Sequence, residues 1–323
     1  MKDILLKGTL GNPQIDSVIQ EVIQVYEDTF PGQIAAYYVE GSFADQTHLT
    51  TSDIDLLIVF RNYFADEDAC SAAERIWTSN QVGIQEVDIT IVDEDSLRGG
   101  VNPNVKLGGW LIYGQDVCSL YPLLPIEAWT RERMRAAYWL LVNVYQRRTP
   151  VHLPLTFPSS SDEFYGYMNR TLRLPDGREV PCTRNLVRTT GWAATALLAL
   201  QAGLYAVRKR DCARLYRDHI DDEWSSLLED IAVSCRDDWQ YLIPTAYHAR
   251  KHLREICERT LRFEQHFLTL YKSYLLGQLR STEQEHVRFA MRLQEQIPLD
   301  DTEVIVMLQI LGQREDTKNG GAS

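Results

Sequence analysis

One segment constrains this chain more than any other: GSFADQTHLTTSDIDLLIVF, residues 41–60. The run before it, IAAYYV (34–39), reads as a strand that ends at Gly41-Ser42. After a gap of ten residues, Asp53-Ile54-Asp55 opens a second run, 53–60, too apolar for a half-exposed edge. Residues i and i+2 of a strand point to the same side, about 7 Å apart. Asp53 and Asp55 therefore offer two carboxylates on one face at a sheet's end. In EVDITIV (86–92), Val87, Ile89 and Ile91 alternate with Glu86, Asp88 and Thr90, which makes a third strand with Asp88 on its polar face. If the second and third strands are neighbours, the Asp88 carboxylate stands about 5 Å across the ladder. Paired carboxylates suit a hard cation such as Mg²⁺, and three of them can hold two ions on a nucleoside triphosphate. Gly41 would let backbone approach the phosphates closely, and Ser42 with the following N–H groups could hydrogen-bond their oxygens if a helical turn begins there.

Each part alone has an ordinary reading. Asp-x-Asp starts many strands, Gly-Ser makes many turns, and Asp88 alone is a solvated strand residue. The order is what is specific: strand, Gly-Ser, short gap, Asp-x-Asp strand, helix, then a strand with a central acid.

Around this segment, residues 13–30 read as an amphipathic helix with Ile15, Val18, Ile19, Val22, Ile23 and Tyr26 on one face, stopped by Pro31-Gly32. Residues 66–80 read as another helix. From about 125 the pattern turns helical. PIEAWTRERMRAAYWLLVNVYQRR carries Pro and Glu in its first turn and Arg in its last. Residues 150–182 interrupt it with Pro and Ser, and RTLRLPDGREV within them reads as a hairpin around Pro175-Asp176-Gly177. Thr183 or Asn185 would cap the next helix, which ends near Ala202-Gly203, and Pro244 would open one of about thirty residues. Trp192, Trp224, Trp239, Tyr241 and Tyr247 are expected in the core. His248 and His252 are i, i+4 but lack the H-E-x-x-H glutamate, so they read as a surface pair.

The constellation resembles the DNA polymerase β-like nucleotidyltransferase superfamily over roughly residues 15–120, on Gly41-Ser42, Asp53, Asp55 and Asp88. KLGGWLIYGQDV (106–117) resembles the ending of that core. The layout is most similar to aminoglycoside adenylyltransferases of the streptomycin/spectinomycin type. Their helical domain has an apolar helix, a Gly and a phosphate-contacting Lys, matched here by Gly203 and Lys209. The resemblance implies an α+β chain with a mixed sheet and flanking helices at 1–122. An all-α domain follows at 123–316, with a loop and hairpin insertion at 150–182 and a flexible tail at 317–323. It implies metal ligation by Asp53, Asp55 and Asp88, with Asp88 as catalytic base and Glu86 in reserve. Gly41, Ser42 and Lys209 would bind the nucleotide. The expected co-substrate is ATP with a two-metal Mg²⁺ site, and the expected acceptor is a small hydroxylated molecule. RNA or protein as acceptor, or a regulator that has lost turnover, are the other readings. Two features depart from the pattern: the third acid is Asp where those enzymes tend to have Glu, and residues 150–182 have no counterpart.

Composition bounds the partners. The formal charge of −12 is uneven: residues 1–130 hold 6 Lys+Arg against 20 Asp+Glu, and residues 131–300 hold 25 against 21. The acidity lies with the carboxylate cluster, so the average counts only weakly against RNA. The N-terminal apolar stretch is three residues long, too short for a signal peptide. The most apolar segment, 191–207, is shorter than a bilayer and broken by Gln201. Six cysteines at least 22 residues apart give neither a zinc motif nor a dense disulfide framework, and the expectation is a cytoplasmic protein with reduced thiols.

Overall fold

Asn12 and Pro13 start the first helix, α1 (Pro13–Thr29): the Asn12 side chain accepts the Gln14 N–H at 2.9 Å, and proline sits in the first turn, where its missing N–H costs nothing. The helix buries Ile15, Ile19, Val22, Ile23 and Tyr26, the stripe expected from its spacing. Burial pushes the Tyr26 hydroxyl up to about 12, and it donates to the Ala73 carbonyl at 2.8 Å.

A computed structural model describes residues 4–49, 52–62, 67–80, 86–174 and 176–320. They divide into two units, Met1–Trp129 with Leu204–Cys212, and Thr130–Gly203 with Ala213–Ser323. In the first, α1 is followed by β1 (Ile34–Glu40), a single helical turn α2 (Gly41–Ala44), β2 (Ile54–Phe60), α3 (Glu67–Asn80), β3 (Val87–Asp93), α4 (Pro103–Gly108) and β4 (Trp110–Gly114). The sheet is mixed, in the order β3-β2-β1-β4, with β2 and β3 parallel and the other pairs antiparallel. Period-two alternation sends Ile54, Leu56, Ile58 and Phe60 into one core with Ile19, Ile23 and Trp77, and Leu57 and Val59 into another with Leu97, Val101 and Val105. Both faces of β2 are covered, which is why it reads as a continuous apolar run. Asp53 and Asp55 share the parity of Leu57 and Val59.

The 106–117 segment is structural. Gly114 has φ +86°, and a Cβ there would stand 2.3 Å from the Ala35 carbonyl oxygen, so β4 meets β1 only as glycine. The Tyr38 hydroxyl donates to Asp116 Oδ1 at 2.8 Å and accepts the Cys118 N–H at 3.0 Å. Lys106 Nζ donates to the carbonyls of Cys118 (2.8 Å), Ser119 (3.1 Å) and Tyr121 (2.8 Å). This ammonium spends all three protons on one loop, so Lys106→Met should cost about 1.5–3 kcal/mol, read from the urea midpoint.

The second unit holds most of α5 (Ile126–Asn143), then β5 (Val151–His152), the hairpin β6 (Arg170–Arg173) and β7 (Glu179–Cys182), and α6 (Arg184–Ala202). Helix α7 (Lys209–His219) crosses the division. After it come α8 (Ser225–Asp230), a π-helical stretch (Ile231–Asp238), α9 (Tyr247–Leu279), α10 (Gln284–Gln296), β8 (Leu299–Asp300) and α11 (Thr302–Gly320). The hairpin forms where the sequence placed it, with Leu172 opposite Val180; Pro175 lies outside the described residues. Gly203 ends α6 in the left-handed conformation, φ +64°.

Two side chains differ from expectation. Thr183 precedes α6, but its hydroxyl donates to the Tyr241 carbonyl at 3.2 Å instead of capping the helix. Tyr247 is 77% exposed, because it opens α9 at the surface. The tail from 317 is helical to Gly320, and 321–323 lie outside the described residues. All six cysteines are unpaired, with burial pushing Cys118 up to about 11 and Cys212 and Cys235 up to about 12. No helix among the described residues is long and apolar enough to cross a membrane.

Candidate active site

Register brings the acids together. Asp55 is second in β2 and Asp88 second in β3, and the parallel ladder makes them direct partners. Asp53 lies two residues before Asp55, on the same side. One carboxylate oxygen from each of the three lies within 4.8 Å of the others. Asp53 and Asp55 are half-buried and Asp88 is exposed, so the cluster opens to solvent. The donor set fits a hard divalent cation, which takes carboxylate oxygens and has no need of nitrogen or sulfur. Glu86 is exposed, stands just before β3 and is not one of the three; its carbonyl accepts the Ile54 N–H at 2.9 Å.

Gly41 fits closely behind this cluster. Its φ is +65°, and a Cβ there would meet Asp55 Oδ2 at 2.5 Å. A non-glycine residue would pay about 1–2 kcal/mol for the left-handed backbone and would also push Asp55 out of the set. Gly41→Ala should therefore weaken Mn²⁺ binding at the three acids about 10- to 100-fold with the fold intact, as a metal titration paired with a thermal melt would show. The helical turn anticipated at Gly41-Ser42 is present: the Asp45 N–H donates to the Gly41 carbonyl at 3.2 Å and the Thr47 N–H to the Ser42 carbonyl at 2.9 Å. Among the described residues the Ser42 hydroxyl makes no hydrogen bond. The loop back to β2 is closed at Ser52, which accepts the Leu49 N–H on Oγ at 2.9 Å and donates its own N–H to the Leu49 carbonyl at 3.0 Å. Residues 50 and 51 lie outside the described residues.

Two placements go beyond the sequence reading. Glu40 is the antiparallel partner of Asp55 and shares its face by parity, so a fourth acid stands at this edge. Its signal was a carboxylate directly before Gly-Ser, at the end of a strand whose pairing only the structure shows. Lys209, expected in the helical domain, lies in the segment Leu204–Cys212 that clusters with the sheet unit, and its side chain is exposed.

Residues 19–99 match the family model described as the nucleotidyltransferase domain. Among solved structures, the chain is similar to the spectinomycin adenyltransferase AAD(9) from Enterococcus faecialis, crystallised with ATP and spectinomycin. That likeness has 13% identity and a TM-score of 0.45, and covers 77% of this chain and 98% of that one. A toxin–antitoxin structure with AMP-PNP is also similar, at 18% identity and a TM-score of 0.24, covering 38% of this chain and 94% of that one. No curated protein matches by sequence.

Proposed function

We propose that the protein transfers a nucleoside monophosphate, AMP from ATP, to a hydroxyl of a small acceptor of aminoglycoside-like chemistry. The observation that carries this reading is the three-carboxylate set within 4.8 Å, backed by Gly41, in a segment that matches the nucleotidyltransferase domain. Asp53, Asp55 and Asp88 would hold the divalent ions, Mg²⁺ in a two-ion site. When bound, such ions neutralise charge on the triphosphate and on the departing pyrophosphate.

The residues do the rest. Gly41 leaves room for a phosphate beside the backbone. Ser42 Oγ donates to a phosphate oxygen, and Lys209 adds a cation to the same group. Asp88, the most exposed of the three acids, takes the proton of the acceptor hydroxyl. That oxygen bonds to the α-phosphorus, the bond from the α-phosphorus to the bridging oxygen breaks, and its electron pair leaves with pyrophosphate. Glu86 is the reserve base.

Incubation with Mg²⁺-ATP and hydroxylated small molecules, followed by mass spectrometry, tests this. The expected product is an acceptor carrying one AMP. An AMP adduct on RNA or protein instead would move the acceptor to that class, and absence of any adduct with no pyrophosphate release would leave a nucleotide-binding regulator.

A further inference from the structure

The insertion between α5 and α6 builds a cleft of about 760 Å³ that lies wholly in the second unit. Such a volume is ordinary for a small-molecule site, where apolar walls carry a few oriented polar groups. The apolar wall is Phe164, Met168, Leu174, Val180 and Ile243, with Gln146, Ser159 and Asn169 as neutral polar groups beside it.

The cleft is preformed. The turn from Ser159 to Gly166 closes on itself, with the Ser159 N–H donating to the Tyr165 carbonyl at 3.0 Å and the Tyr165 N–H to the Asp162 carbonyl at 3.0 Å. Tyr165 and Gly166 both have positive φ, +55° and +82°, and a Cβ on Gly166 would stand 2.7 Å from the Ser159 nitrogen. A tyrosine held in this conformation is strained, and such strain persists only where the surroundings enforce it. Here they do: its ring stacks on Phe157 at 4.1 Å, the Arg254 guanidinium lies over it at 4.6 Å, and its hydroxyl donates to Glu258 at 2.5 Å.

Charge sets the ligand. Arg250 lines the cleft but is paired: Nε donates to Glu163 Oε1 at 2.9 Å, Nη2 pairs with Glu163 Oε2, and Nη1 donates to the Pro244 carbonyl at 3.1 Å. Its charge is offset by the two-pronged pair with Glu163, so it adds no net positive charge to the cleft. Asp162 also lines the cleft, is exposed, and its carboxylate has no hydrogen bond or ion pair among the described residues. The net field is that of one carboxylate above an apolar floor. We infer that this cleft binds a small amphiphilic monocation, an amine with an apolar or aromatic body, with the ammonium on Asp162 and the body against Phe164, Met168 and Val180. All of its lining belongs to the second unit, whereas Asp53, Asp55 and Asp88 belong to the first, so this site is separate from the carboxylate set invoked above.

The probes are 2-(4-fluorophenyl)ethylamine, its neutral analogue 2-(4-fluorophenyl)ethanol and the anion (4-fluorophenyl)acetate, titrated against the full chain by ¹⁹F NMR. For about ten heavy atoms the amine should bind in the millimolar range, tightest of the three. The alcohol should be about three- to fivefold weaker. Asp162→Asn should bring the amine to the alcohol's affinity and leave the alcohol unchanged, and Met168→Trp should weaken both by filling the floor. The Asp53→Asn/Asp55→Asn variant should bind the amine as well as the unaltered protein. Absence of amine binding, equal affinity for amine and alcohol, preference for the acetate, an unchanged amine in Asp162→Asn, or its loss in the Asp53/Asp55 variant would each overturn the assignment.

Discussion

Replacing Asp53 and Asp55 together by Asn should reduce nucleotide turnover by at least about a thousandfold, some 4 kcal/mol of barrier, without loss of fold. Both changes keep side-chain size. Both positions lie at the open end of the sheet, outside the cores that hold Leu56, Leu57, Ile58 and Val59. The three acids converge within 4.8 Å, where like charges repel. Asn keeps a hydrogen-bonding oxygen at each position and removes this repulsion, so the melting temperature of the ion-free protein should stay close to that of the unaltered protein. A large fall in melting temperature would make these acids structural, and turnover at the unaltered rate would remove them from the reaction. Mg²⁺ should raise the melting temperature of the unaltered protein and not that of the variant.

The largest effect on stability should come from Arg147→Met. Its guanidinium, with 7% of the side chain exposed, donates to Glu264 Oε2 at 2.5 Å, the Thr156 carbonyl at 2.6 Å and the Leu141 carbonyl at 3.2 Å. Glu264 lies on α9 among Phe263, Phe267 and Leu268, and the Tyr167 hydroxyl donates to the same oxygen at 2.8 Å. Burial pushes the Glu264 carboxyl up, against the pull of Arg147 and Tyr167. Without Arg147 that carboxylate must lose its charge or stay buried and unpaired, a cost of about 3–5 kcal/mol. Adding Glu264→Leu should restore most of it, since a well-packed apolar side chain replaces the remaining charge. Urea unfolding of the four proteins in the cycle measures this. A single variant within about 0.5 kcal/mol of the unaltered protein would show the pair to be unimportant.

Much of the sheet was legible because its signals are local. Alternation marked β3, the all-apolar run marked β2 as an interior strand, and a one-faced apolar stripe stopped by Pro31-Gly32 marked α1. The contact of Asp55 with Asp88 was legible only as a condition, because nothing within one strand says which strand is its neighbour. The same holds for Glu40, whose place opposite Asp55 depends on antiparallel register. Lys209 was placed by the resemblance of Gly203 and Lys209 to a Gly-then-Lys pattern in a helical domain, and that pattern carries no sign that Leu204–Cys212 turns back to the sheet unit. Thr183 looked like a cap because Ser and Thr usually cap, whereas a competing carbonyl from Tyr241 took its hydroxyl. The cleft was invisible: Tyr145, Asp162, Val180 and Arg250 are far apart in sequence, and the insertion showed only Pro, Ser and a hairpin.

The carboxylate set itself is tested most directly by Mn²⁺ titration followed by electron paramagnetic resonance, comparing the unaltered protein with Asp53→Asn/Asp55→Asn. Bound Mn²⁺ in the unaltered protein, enhanced by a non-hydrolysable ATP analogue and absent from the variant, is the expected result. Equal Mn²⁺ binding by the two proteins would contradict a cation site at Asp53, Asp55 and Asp88.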